Sequence, residues 1–207
     1  IPGVQEGGYG DVEPVSFFGT AGYTSPGNAS SRAGRVTSTS YLVDPNYFGG
    51  IEYPVPAGLT IAGLSSLSTD FKAVAGGCGG GAPRFVVETA SGRFVAYIGT
   101  PPAYTCPADN LYHNTGNLLG AGSTVDATQY GGVFYEPYAA FQAANGADVI
   151  TAIYLVMDGG WAVPGNFQDF HFDNTQIASA LFTYEPDALP AGLLSPTSPA
   201  TEVRVSR

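Results

Sequence analysis

The chain of 207 residues is long enough for one domain with a substantial core, and it is 44% hydrophobic but only 12% charged. A disordered chain would combine low hydrophobicity with high charge, so this composition indicates a folded protein. The formal net charge is −10, and the seven Lys and Arg residues are scattered along the chain. Nucleic acids and anionic membranes bind clustered cations, so neither is an expected partner.

The first residues of the chain and its longest apolar run bear on the cellular location of the protein. It begins with Ile1-Pro2-Gly3 rather than with Met, which we interpret as a mature product after removal of a leader. The longest apolar run, 149–157, is far shorter than the ~20 residues that a membrane-spanning helix needs. We therefore expect a secreted, extracellular protein without a membrane span.

Residues 1–15 are punctuated by Gly and Pro without periodicity, which predicts an extended N-terminal arm. Residues 186–207 are rich in Pro, Ser, Thr and Ala, which is the composition of a tail or linker. A short alternation at the end of this tail could add as a strand to another chain. The predicted domain therefore spans 16–185.

Within that domain, short segments rich in β-branched and aromatic residues are separated by turn signals. Ile150–Met157 is apolar on both faces and predicts a central strand. A hairpin loop is predicted at 89–92, and one helix from Glu136 to about Ala144, with Pro137 in its first turn. The predicted strands are 36–43, 51–55, 59–61, 71–74, 84–88, 93–98, 124–126, 150–157, 167–172 and 180–184.

These elements define the fold class that we expect. Many short strands with one short helix are typical of an all-β, antiparallel β-sandwich, of which the jelly roll is the commonest case.

Cys78 and Cys106 are the two cysteines of the chain. Two thiols without a CxxC spacing are too few for a zinc cluster. An even count in a chain of secretory composition favours a disulfide, which would contribute about 3–4 kcal/mol by closing a loop of this length. The alternative is a pair of unpaired buried thiols.

Five short motifs occur in order along residues 50–185: Leu64–Phe71, Cys78–Phe85, Asn114–Leu118, Asp158–Trp161 and Asp173-Asn174. Together they resemble a family of uncharacterised secreted microbial β-domain proteins. The resemblance implies secretion and a compact β domain, and it carries over no catalytic residues. A closing strand that ends in Asp-Asn is also similar to the last strand of jelly-roll carbohydrate-binding modules, which is an analogy of fold alone.

Asp169, His171 and Asp173 alternate along a predicted strand and therefore share one face of the sheet. Carboxylate, imidazole and carboxylate at this spacing could bind a divalent metal or tune a general acid. The alternative is a polar sheet face opposite a buried pair of phenylalanines. Asp173 with Asn174 could also contribute oxygens to a structural Ca²⁺, together with Asp158, or could simply form Asx turns.

Trp161 is the only tryptophan, and glycines and a proline flank it in a predicted loop. Sugar rings pack their C–H faces on aromatic planes, so a loop Trp near Tyr135 and Tyr138 is a candidate glycan platform. The alternative is a tryptophan that closes one end of the core.

Catalysis has little support in the sequence. It contains no G-x-S-x-G motif, and His113 and His171 lack a recognisable nucleophile partner. The leading hypothesis is a non-catalytic extracellular module that binds a glycan or another cell-surface polymer. One alternative is a structural subunit that self-assembles through its terminal segments. Another is a secreted hydrolase with a carboxylate pair, which no spacing along the chain selects.

Overall fold

A computed structural model of the chain describes residues 2–4, 15–39, 47–79, 81–99, 101, 104–158 and 167–186. They form mainly β-strands, with a helix α1 at Tyr138–Asn145 and a 3₁₀ helix at Thr128–Tyr130. The strands are β1 (Pro2–Val4), β2 (Ser16–Gly19), β3 (Ala21–Thr24), β4 (Ala33–Thr39), β5 (Phe48–Tyr53), β6 (Leu67–Ala75), β7 (Arg84–Thr89), β8 (Arg93–Tyr97), β9 (His113–Asn114), β10 (Thr124–Val125), β11 (Glu136–Pro137), β12 (Ile150–Asp158), β13 (Phe167–Ile177) and β14 (Ala180–Pro186).

The strands form two antiparallel sheets and a short β10–β11 ribbon. The larger sheet has the order β1-β14-β13-β4-β3, with β6 on β13 and β9 on β6, and the smaller sheet has the order β2-β5-β12-β7-β8. Strand β13 organises the larger sheet, because β6 pairs along one side of it and β4 and β14 pair along the other. The predicted antiparallel sandwich is confirmed, and the jelly-roll subtype stays a prediction.

The core lies between the two sheets. Side chains alternate across a strand, so β13 directs Phe170 and Phe172 inward while β12 directs Ile153 and Leu155 toward them, and all four are fully buried. Strand β12 is the central strand of the smaller sheet, as predicted, and its other face is only partly covered.

A chain of buried hydroxyl groups connects the sheets through this core. The Tyr53 hydroxyl on β5 hydrogen-bonds to Thr175 Oγ1 on β13 at 3.2 Å and to the Tyr184 hydroxyl on β14. Thr175 Oγ1 lies 2.8 Å from Thr69 Oγ1 on β6. All four side chains are buried, so their hydroxyl groups need partners within the protein. Thr69 Oγ1 also lies 3.1 Å from the carbonyl oxygen of Asp173, which ties the chain to β13.

Several predicted elements lie where expected. The β7–β8 hairpin forms with Glu88 opposite Arg93. The helix begins two residues later than predicted, because Glu136 and Pro137 pair with β10. Residues 59–61 do not form a strand, since only Thr60 makes a bridge, to Val149, while its carbonyl closes a local turn.

Cys78 and Cys106 form the predicted disulfide, with their Cα atoms 5.3 Å apart. In the predicted N-terminal arm, residues 2–4 pair with β14 as an added strand. The predicted tail beyond Pro186 lies outside the described residues. In the described part of the chain, no helix has the length and apolar character to cross a membrane.

We predict that Tyr53→Phe lowers the free energy of unfolding by about 1–2 kcal/mol, because it leaves buried hydroxyl groups with one partner fewer. Urea unfolding followed by circular dichroism measures this change. Tyr154→Phe is the matched control on the same sheet, since its ring is only half-buried. Equal effects of the two substitutions would contradict a stabilising role for the hydroxyl chain.

Candidate functional site

A cavity of about 620 Å³ opens at one side of the sandwich. Here the edge strand β8 of the smaller sheet faces the segment that follows β9 of the larger sheet. We call it the aromatic cavity, because three tyrosines line it together with small and neutral polar residues. Its larger lining residues are Tyr97, Tyr104, Thr115, Asn117, Leu118, Ser123, Thr124 and Tyr135.

The aromatic rings of this cavity contact one another. The rings of Tyr104 and Tyr135 are almost parallel, at 9°, with centroids 6.3 Å apart. Phe134 stacks on Tyr97 with centroids 5.5 Å apart. Tyr135 is 46% exposed and Phe134 is 39% exposed. Large aromatic surfaces that stay open to solvent beside a cavity are typical of binding sites.

Each tyrosine is positioned by a different part of the fold. Phe94 and Ala96 of β8 point into the core, so the alternation of the strand places Tyr97 on the outer side. Tyr104 precedes Cys106 by two residues, so the disulfide holds its segment against the end of β6. Tyr135 comes directly before β11, which pairs with β10.

The polar wall of the cavity is fixed by the fold itself. Asn117 Oδ1 accepts the backbone N–H groups of Leu67 at 3.1 Å and Leu119 at 3.0 Å. Thr115 Oγ1 accepts the backbone N–H of Thr69 at 3.0 Å. These bonds attach the wall to β6, so the cavity has a rigid side opposite its exposed rings.

The hydroxyls of Tyr97 and Tyr104 stay protonated at physiological pH. Burial, followed by the negative charge of Asp126, raises the pKa of Tyr97 to about 12. Burial also raises the pKa of Tyr104. These hydroxyls are therefore neutral donors and acceptors, which is the form that a sugar hydroxyl would meet.

The structure separates the aromatic residues that the sequence grouped together. Tyr135 lines the aromatic cavity, but Tyr138, three residues later, is buried and donates its hydroxyl to the carbonyls of Ile61 and Leu64. Tyr138 is thus placed in the core rather than in the site. Trp161 lies outside the described residues.

Asp169, His171 and Asp173 do share the outer face of β13, but the structure does not bring them together as a metal site. Residues two apart on a strand are separated by ~7 Å. Asp169 instead accepts two hydrogen bonds from Arg35, at 2.9 and 2.8 Å, and lies 3.9 Å from His171 Nε2. Burial lowers the pKa of His171, so its neutral form is favoured.

Asp173 belongs to a separate group, which we call the aspartate cluster. It contains two buried carboxylates, Asp70 on β6 and Asp173 opposite it on β13. Asp70 accepts three side-chain amide N–H groups at 2.7–2.8 Å, from Asn28, Asn114 and Asn174.

Asp173 is satisfied differently, mainly by the loop between β3 and β4. It accepts the Ser30 hydroxyl at 2.5 Å and the backbone N–H of Asn28 at 2.7 Å, as well as that of Asn174 at 2.8 Å. Gly27 makes this approach possible, because a Cβ atom there would lie 2.5 Å from Asp173 Oδ2. Six neutral donors therefore surround the two carboxylates.

The aspartate cluster is where the predicted structural Ca²⁺ would find carboxylate ligands. Its geometry does not fit a cation, because both oxygens of Asp173 face N–H and O–H donors. Asp158, the other predicted contributor, forms an ion pair with Arg84. No group of three or more His, Cys, Asp or Glu in the described ranges could hold a metal ion. The Ca²⁺ site stays a prediction.

Comparison of the chain with protein-family models, with curated proteins and with solved structures gives no match. The family resemblance suggested by the five motifs therefore stays a prediction.

Three residues at the aromatic cavity were not predicted from the sequence as site residues: Tyr97, Phe134 and Asp126. For Tyr97 the signal is present, because the inward pair Phe94 and Ala96 implies that residue 97 faces outward. Asp126 has no such signal, since its contact with Tyr97 joins segments 29 residues apart.

We predict that Asp173 makes stability depend on pH. Burial raises its pKa to about 6, so the folded state binds a proton that the unfolded state releases above pH ~4. The stabilising contribution of this proton is complete only below about pH 4 and is lost as the pH rises through 6. Asp173→Asn removes this titration. When the pH is lowered from 7 to 4, the unfolding free energy of the wild type, measured relative to that of the variant, should therefore rise by on the order of 2 kcal/mol.

Urea titrations of both proteins at pH 4, 5, 6 and 7, with and without EDTA, measure the difference. The opposite contribution of His171 is present in both proteins and cancels. Parallel pH profiles would show that Asp173 keeps an ordinary pKa.

We also predict that Cys78→Ser/Cys106→Ser lowers the free energy of unfolding by about 3–4 kcal/mol, because the cross-link joins residues 28 apart and restricts the unfolded chain. Urea unfolding measures the loss, and reduced wild-type protein should match the variant. A double variant as stable as the oxidised wild type would rule out this contribution.

Proposed function

We propose that this protein is a non-catalytic extracellular module that binds a glycan through the aromatic cavity. The observation that carries the proposal is the nearly parallel pair of Tyr104 and Tyr135 beside a wall of neutral hydroxyl and amide groups. A sugar ring has an apolar C–H face that packs on an aromatic plane and a rim of hydroxyls that need hydrogen bonds. The cavity offers both kinds of surface.

The size and rigidity of the cavity support this use. Its volume of about 620 Å³ is in the range of ordinary small-molecule sites. Asn117 and Thr115 are held by backbone hydrogen bonds, so little conformational entropy is lost when a ligand binds. The Cys78–Cys106 disulfide is consistent with an extracellular location, where such bonds persist.

Binding fits the geometry better than hydrolysis does. The carboxylates that the fold brings together, Asp70 and Asp173, are buried, saturated by hydrogen bonds and not part of the cavity lining. A glycosidase needs two carboxylates that flank the substrate. Self-assembly through the termini stays a prediction, and residues 2–4 pair with β14 of their own chain.

The proposal predicts that Tyr135→Ala weakens glycan binding by about tenfold or more, since removing a stacking ring costs ~1.4 kcal/mol or more. Affinity electrophoresis in gels that contain soluble polysaccharides measures the effect. Because Tyr135 is largely exposed, the variant should keep the unfolding free energy of the wild type to within about 1 kcal/mol.

Phe167→Ala is the matched control, since Phe167 is 47% exposed but does not line the cavity. Its binding should equal that of the wild type. The contradicting outcome is that Phe167→Ala or Trp161→Ala loses binding while Tyr135→Ala binds fully. The binding site would then lie at or next to the 159–166 segment, and the aromatic cavity would not be the site.

A further inference from the structure

The aromatic cavity has a distinctive charge pattern. Every described residue that lines it is uncharged at neutral pH. The carboxylate of Asp126 lies directly behind the lining, where its Oδ2 accepts the Tyr97 hydroxyl at 3.2 Å. The cavity is thus a neutral surface backed by a negative charge.

Asp126 is held in this position from two sides. Its backbone forms a two-way bridge with Val95 of β8, at 2.9 and 3.0 Å. Its Oδ1 accepts the backbone N–H of Thr128 at 3.0 Å and the hydroxyl of the same residue at 2.6 Å. These hydrogen bonds hold the carboxylate in place beside Tyr97.

The cation on the neighbouring strand offsets this charge only in part, since Arg84 lowers the pKa of Tyr97 by less than Asp126 raises it. Arg84 lies opposite Tyr97 in the β7–β8 pairing, but its guanidinium forms an ion pair with Asp158 and donates to the Gly81 carbonyl at 2.5 Å. The protein as a whole also carries a net charge of −10. An anionic ligand would therefore meet repulsion both locally and at long range.

We infer that the aromatic cavity selects uncharged glycans and rejects polyanionic ones, and that Asp126 is the residue that determines this preference. The inference rests on the proposed glycan-binding function. A carboxylated sugar stacked at Tyr97 would place its charge within the Debye length of ~10 Å at 0.1 M salt from Asp126. A neutral sugar meets no such penalty.

The test compares neutral polysaccharides with their own carboxylated forms, so that the backbone stays constant. Hydroxyethylcellulose, amylopectin and mannan are each used before and after oxidation of their primary alcohols to carboxylates. Affinity electrophoresis is run at 20 mM and at 500 mM NaCl. For a polysaccharide that binds, the oxidised form should bind about tenfold more weakly at 20 mM NaCl, and this difference should shrink in 500 mM NaCl as the charges are screened.

Asp126→Asn isolates the local charge, because an amide can still hydrogen-bond to the Tyr97 hydroxyl. It should reduce the discrimination at 20 mM NaCl by about threefold or more. Glu52→Gln is the matched control, since it changes the net charge equally at an exposed position on β5. If Asp126→Asn does not fold, the salt dependence of the wild type still decides whether anionic glycans are rejected.

The outcomes separate the two proposals. Oxidised forms that bind as tightly as their parents, or more tightly, overturn the selectivity and leave glycan binding intact. Equal effects of Asp126→Asn and Glu52→Gln overturn the assignment to Asp126. Binding of none of these polysaccharides, neutral or oxidised, overturns the proposed function and this inference with it.

Discussion

Burying two carboxylates beside each other is the constraint on which the larger sheet depends. An unpaired buried charge is very unfavourable, so Asp70 and Asp173 need all of their hydrogen-bond donors in place at once. These donors come from the β3–β4 loop, from β9 and from β13 itself. The requirement fixes β9 against β6, and the residues that follow β9 form the rigid wall of the aromatic cavity. The cluster therefore supports the candidate site without being part of it.

Residues of the five sequence motifs contribute to two groups of contacts. Asp70, Asn114 and Asp173 come from three of them and join in the aspartate cluster. Arg84 and Asp158 come from the other two and form an ion pair. Such motifs describe how the sandwich is held together. The rings that would contact a ligand in the proposed function, Tyr104 and Tyr135, lie outside these motifs.

Local patterns in the sequence were sufficient for the disulfide, the hairpin, the central strand and the helix, because each depends on residues that are close along the chain or on a simple count. They were insufficient wherever a partner comes from a distant segment. Alternation correctly places Asp169 and Asp173 on one face of β13, but only the fold shows that Arg35 holds one and Ser30 the other. Likewise Tyr135 and Tyr138 differ in burial because helix α1 begins at residue 138 and turns that ring toward Phe94.

The Cys78–Cys106 disulfide makes one side of the aromatic cavity depend on oxidation. Both sheets are held by hydrogen bonds and core packing, which need no oxidant. The segment with Tyr104, in contrast, gains its covalent anchor to the end of β6 only when Cys78 and Cys106 are oxidised. Under reducing conditions the protein would keep its two sheets, but the Tyr104 segment would lose this covalent anchor. The Tyr104 side of the aromatic cavity is therefore fixed covalently only in the oxidised protein.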